Sequence, residues 1–188
     1  MPLDIGVGLL LAVIVGVIAG ISPSAPFLLI GLIGALWPDL DAIWYVLQHK
    51  KVDQQAHQHR DLLHRPLVLI PPLTAVVWAL LGWPAGTLFG LASLAHFVDD
   101  FFYIGWGVRL FSPFDDRHWC YRPLGEEPWQ LLVITKKEQD ALSQKYGDPN
   151  WLVNIYGTWN WYSILNLIVL LAGIVAVTLW YLTSAPYS

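Results

Sequence analysis

WYSILNLIVLLAGIVAVTLWYL, residues 161–182, runs for 22 residues without a charged side chain. As a helix rising ~1.5 Å per residue it reaches ~33 Å, enough to cross a hydrocarbon core of ~30 Å. In water such a surface would need cover on every side; in a bilayer it needs none. Working outward, four further apolar runs occupy about residues 5–21 (IGVGLLLAVIVGVIAGI), 25–47, 67–81 and 85–106. Ser22-Pro23-Ser24 with Pro26 turns the chain between the first two, and Gly82-Trp83-Pro84 between the next two, with Pro84 placed to start a helix. The pattern predicts an all-α fold, a polytopic membrane bundle of about five transmembrane helices forming a single membrane-embedded domain over residues 1–188. Two polar stretches remain, a His-rich one at 48–65 and a longer insert at about 107–158. Within the insert, Thr135-x-x-Glu138 predicts the capping box of a short helix ending before Gly147.

Composition agrees. Of 188 residues 56% are hydrophobic and 13% charged, about half the ~25% charged content of soluble domains. Eleven Trp suit a chain with two membrane–water interfaces. The net charge of -4 gives no footing for nucleic acid. Cys120 is the lone cysteine, which excludes an internal disulfide and a cysteine-based zinc cluster. The chain begins Met-Pro-Leu-Asp, with an acid where a signal peptide carries basic residues, so the first apolar run reads as a retained helix.

Every Lys and Arg lies in the two polar stretches: Lys50, Lys51, Arg60 and Arg65 in the first, and Arg109, Arg117, Arg122, Lys136, Lys137 and Lys145 in the second. With five spans both stretches fall on one side, which the positive-inside rule makes cytoplasmic; the N-terminus is then inside and the C-terminus outside an inner or plasma membrane. Gly16-x-x-x-Gly20 and Gly86-x-x-x-Gly90 have the spacing of close helix contacts, a weak signal in a chain with 15 Gly. Asn166, inside the last run, reads as an interhelical hydrogen bond.

Asp39, Asp41, His96, Asp99 and Asp100 stand in or at the ends of apolar runs. An ionised carboxylate at membrane depth costs ~2.5–3.5 kcal/mol even on the gentlest scale, so it calls for a partner or a water-filled site. Helix ends that meet solvent are the plain alternative. However, the second and fourth runs both head toward the polar-loop side and both carry their acids late. His96 and Asp100, four apart, share one helical face and can anchor a metal together. Asp99 can substitute or face a neighbouring helix. Asp39 and Asp41, two apart, cannot share a face: either one is a ligand or the helix unwinds there, for which Pro38 supplies a reason. His59 and His64 converge only if their segment bends. A mixed His and Asp set suits Zn²⁺, Mn²⁺ or Fe²⁺ better than an oxygen cage for Ca²⁺.

Pro38-Asp39-Leu40-Asp41, His59-Arg60-x-x-x-His64 and His96-x-x-x-Asp100, followed by Gly107-Val108 and Pro113, together resemble the YdjM-like family of LexA-regulated inner-membrane proteins, described as metal-dependent hydrolases. The resemblance covers about residues 30–115. More distantly it is similar to zinc-dependent phospholipase C and P1-type nucleases, through the His-x-x-x-Asp element. It implies metal ligands at Asp39, Asp41, His59, His64, His96 and Asp100. Two features depart from the family pattern: the usual N-terminal His is missing, and Leu63-His64-Arg65 replaces Thr-His-Ser.

The reading expected is a membrane-embedded, metal-dependent hydrolase, with zinc first among the metals, acting on a phosphoester or lipid head group at the cytoplasmic side. Six donors also fit a two-metal hydrolytic site. Arg60, beside a ligand, is placed to stabilise an anionic transition state; a snorkelling loop cation would look the same. His49, His57 and His118 read as solvent-exposed. The alternative is a metal-binding membrane protein without catalysis, such as a sensor, scaffold or ion-handling protein. The bilayer is the one partner composition requires.

Overall fold

A computed structural model describes residues 2–49, 62–104, 106–121, 129–146, 148, 150, 153–154 and 157–184. It is mostly helical: α1 Pro2–Ile18, α2 Ala25–Leu36, α3 Leu40–His49, α4 Pro66–Leu81, α5 Trp83–Asp99, α6 Lys136–Tyr146 and α7 Trp161–Ser184. A 3₁₀ turn, Trp37–Asp39, joins α2 to α3, and a π turn, Asp100–Ile104, continues α5. Among the described residues, two stretches are long and apolar enough to cross a membrane, Ala25–His49 and Trp161–Ser184. Pro2–Ile18 and Pro66–Leu81 are apolar but shorter, at 17 and 16 residues. The chain divides into two compact units.

The first unit, Met1–Trp37, Pro71–Ala95 and Ile155–Ser188, is built on Ala12, Val15, Phe27, Leu88 and Trp180. Small residues let its helices approach. A Cβ added at Gly86 would come within 2.7–3.0 Å of Trp78, and one at Gly90 would meet Thr74 at 2.9 Å. Gly86-x-x-x-Gly90 is therefore a true contact between α5 and α4. Gly16-x-x-x-Gly20 is only half of one: Gly16 packs on the Trp180 ring, but Gly20 lies past the end of α1 with φ +64° and open space around it. Asn166 makes the expected interhelical bond. Its Oδ1 accepts Leu3 N–H at 2.9 Å, satisfying an amide of the first turn of α1 that has no partner within its own helix. Polar atoms are also paired around Ser93, whose Oγ accepts the Trp37 indole N–H at 2.8 Å and lies within hydrogen-bonding distance of Gly34 O and Phe89 O.

The second unit, Pro38–Ile70 and His96–Asn154, holds the polar insert. The predicted capping box is present: Thr135 N–H donates to Glu138 Oε2 at 2.7 Å and Glu138 N–H donates to Thr135 Oγ1 at 3.3 Å, opening α6. The Thr135 N–H and hydroxyl, both donating to Oε2, hold the Glu138 carboxyl below its ordinary pKa. A small antiparallel sheet of β1 (His118–Cys120) and β2 (Leu132–Ile134) qualifies the all-α expectation. Strands of three residues are too short to show a period of two in sequence. Val108 adds a bridge to Trp119, made possible by Gly107 at φ +75°, where a Cβ would meet His118 Cβ at 2.8 Å. Gln139 of α6 donates to Trp106 O at 2.9 Å and fastens the insert to the chain leaving the π turn.

One expectation fails here. His118 is not solvent-exposed; it is 1% exposed, because it shares the inner face of β1 with Cys120. Burial pushes the Cys120 thiol up to about 11. His49, by contrast, is exposed as expected and stacks on Tyr45.

Candidate metal centre

The centre lies wholly in the second unit and draws on three segments. Asp39 closes the 3₁₀ turn, and Asp41 lies in the first turn of α3. The tighter turn explains how two acids two positions apart serve one place. Pro38 and the change of helical register let them approach a single imidazole from different sides. His64 precedes Pro66, the first residue of α4, and is fully buried. His96 sits in the last turn of α5, and Asp100 opens the π turn, a local widening common at functional sites.

The donor atoms converge. His64 Nε2 lies 3.1 Å from Asp100 Oδ2 and 4.0 Å from Asp39 Oδ1; His96 Nε2 lies 3.7 Å from both. Single donor atoms of Asp39, His64 and His96 lie within 4.8 Å of one another, a group able to hold a metal ion. Ligand distances of ~2.0–2.2 Å at tetrahedral angles put neighbouring donors ~3.3–3.6 Å apart. The observed spacings bracket that value, so the Asp39 carboxylate and the two imidazoles suit a divalent metal in chemistry and scale, with the Asp100 carboxylate beside both rings.

Asp41 stands on the other side of the His64 ring. Its Oδ2 is 3.2 Å from Nδ1 and also accepts Leu63 N–H at 3.3 Å. A carboxylate on Nδ1 fixes the proton there and turns the Nε2 lone pair toward a metal. Phe97 supplies an apolar wall, standing edge-on to both imidazoles at 5.8 and 5.6 Å between centroids. Nothing in its residue type singles it out beyond its place next to His96. Asp99 is buried beside the centre's own residues in the chain. His57, His59 and Arg60 lie outside the described residues.

The YdjM inner membrane protein family matches residues 4–185. The chain belongs to this family. The match spans almost the whole sequence, well beyond the motif region of residues 30–115, and places the YdjM-family chain among inner-membrane proteins. No curated protein and no solved structure matches it. The expected distant likeness to phospholipase C and P1-type nucleases is not shown by these comparisons. In this YdjM-family member, the His-x-x-x-Asp element is the His96–Asp100 pair of the centre.

Proposed function

We propose that the protein is a membrane-embedded, metal-dependent hydrolase of phosphoesters, with zinc held by Asp39, His64, His96 and Asp100. The observation that carries this reading is the convergence of two imidazole Nε2 atoms on two carboxylates inside an otherwise apolar chain. Asp41 is assigned the orientation of His64 rather than a ligand bond. When bound, such a metal supplies Lewis acidity, bringing the pKa of water toward ~7 and polarising the scissile ester. The chain's own part is to fix both imidazoles, to exclude bulk water with Phe97, and to leave Asp39 as the ligand with residual exposure, its side chain 14% accessible. His59 as a further ligand and Arg60 as the group facing an anionic transition state complete the assignment.

Five spans are proposed, with both polar stretches and the centre on the cytoplasmic side, because all Lys and Arg lie in those stretches. Cysteines introduced at positions 50 and 137 should label from the same side; labelling from opposite sides overturns this topology.

One observation favours the second reading, a non-catalytic metal site. His64, His96 and Asp100 are buried, and structural zinc sites are closed whereas catalytic ones keep an open position. Elemental analysis of purified protein, paired with phosphoester hydrolysis before and after chelation, decides between them. Bound zinc, lost in His96→Ala and Asp100→Ala, with activity that returns on adding zinc, supports the hydrolase. Zinc without activity supports the structural site, and unchanged metal content in both variants rejects the centre.

A further inference from the structure

The small sheet of the polar insert is apolar on its outer face. His118 and Cys120 turn inward and are buried. The alternation of a strand puts Trp119, paired with Val133, on the opposite face. Tyr121 and Leu131, the next residue along each chain, continue that face and are 39% and 53% exposed. Two more rings extend it. Trp129, 50% exposed, lies 6.1 Å from the Tyr121 ring between centroids, and Phe102 of the π turn lies 5.6 Å from it. A hairpin packed on one side and wetted on the other carries polar residues on the wetted side. Here that side reads Trp, Tyr, Leu and Val, a contiguous apolar patch of the kind that marks an interaction surface.

The residue types say what covers it. Trp and Tyr join an apolar body to a polar tip, and they concentrate where a bilayer meets water. The patch is also continuous with an apolar helix. Phe102 lies in the turn that continues α5, and Val98, four residues earlier, is exposed as well. The chain belongs to an inner-membrane family, so a bilayer is at hand. Charges at the rim cancel in pairs. Arg117 is bonded to Asp115 while its guanidinium lies 5.9 Å above the Trp119 ring, and Arg109 is bonded to Asp116. Such a rim suits a neutral interfacial layer better than a highly charged macromolecule.

We propose that the outer face of this sheet lies in the interfacial layer of the bilayer, so that this part of the polar insert docks on the membrane surface instead of standing in water. Trp119, Tyr121, Trp129 and Leu131 then rest among the lipid head groups. The bond from Gln139 to Trp106 O carries the hold to α6. This inference is independent of any metal at the centre and of which side the insert occupies.

The test uses full-length protein in a Cys120→Ala background, reconstituted in vesicles of dioleoyl phosphatidylcholine and carrying one nitroxide label. Collisions with oxygen, which favours lipid, and with a nickel chelate, which favours water, are measured by electron paramagnetic resonance. Leu131→Cys reports on the sheet. Lys137→Cys on the exposed side of α6 is the water reference, and Ile168→Cys on α7 is the lipid reference. The label at 131 should meet the nickel chelate several-fold less often than at 137. Its oxygen-to-nickel ratio should fall between the two references. A ratio equal to that at 137 overturns the proposal, because the sheet then faces water. Low collision with both reagents overturns it too, and spin–spin broadening that fades on dilution with unlabelled protein would identify a second copy as the cover. Should Leu131→Cys lower the melting temperature, Trp129→Cys reports in its place under the same criteria.

Discussion

Asp41 and Asp100 address opposite nitrogens of one imidazole: Asp41 Oδ2 lies 3.2 Å from His64 Nδ1, and Asp100 Oδ2 lies 3.1 Å from His64 Nε2. His64 therefore has an orienting side and a ligand side. The two carboxylates come from segments almost sixty residues apart in the chain, and their roles differ although their residue type does not.

Removing the orienting carboxylate should weaken metal binding without abolishing it. Asp41→Ala is expected to lower zinc affinity by about 10- to 100-fold, the usual cost of losing such a partner. Asp41→Asn, which can still accept from Nδ1, should lose less. Competition against a chromogenic chelator measures both, and wild-type affinity in Asp41→Ala would remove Asp41 from the centre.

The wall formed by Phe97 predicts a coupled effect. Phe97→Ala should cost about 3–5 kcal/mol of stability through the cavity it leaves. It should also weaken zinc binding, because both imidazoles lose the surface they stand against. Phe97→Leu should recover most of each. Thermal unfolding in detergent, with and without zinc, checks the pair.

Close helix approach predicts intolerance at Gly86. Gly86→Val drives a branched side chain into the Trp78 backbone and is expected to destabilise by about 1–3 kcal/mol. Gly20→Ala meets no neighbour but must hold φ +64°, so its cost should be about 1 kcal/mol from backbone conformation alone. Equal melting temperatures for Gly86→Val and wild type would contradict the packing between α4 and α5.

Acid titration should single out Asp115. The Arg117 guanidinium and its backbone N–H hold this carboxyl at about 2 instead of 3.8. A depressed carboxylate stabilises the fold above its unfolded value and loses that contribution as pH falls through about 2. Carbon-detected NMR of Asp115 should show the low midpoint, and Arg117→Ala should return it toward 3.8. The ion pair is exposed, so little overall stability rides on it.

The apolar helices, the helix start at Pro84, the capping box of α6 and the bond made by Asn166 were all legible in the sequence. Each depends on rules that act within a few residues, or on the cost of leaving a polar group unpaired in an apolar helix. The same logic marked Asp39, Asp41, His96, Asp99 and Asp100 as out of place, since polar groups in apolar runs require partners; His64 lies in a polar stretch and was marked only by its motif. Which partner each would meet was not legible. That depended on the 3₁₀ turn at Trp37–Asp39 and the π turn at Asp100–Ile104, which change rotation about the helix axis without leaving a mark on hydropathy. The burial of His118 and the pairing of β1 with β2 were hidden for a related reason. Both arise from contacts between strands more than ten residues apart, whose free energy is gained only once the chain has closed on itself. Sequence alone determined that this chain belongs in a membrane and that its acids need company. Only the tertiary structure decided that one imidazole, His64, receives one acid at each nitrogen, because ring orientation is set by packing in three dimensions.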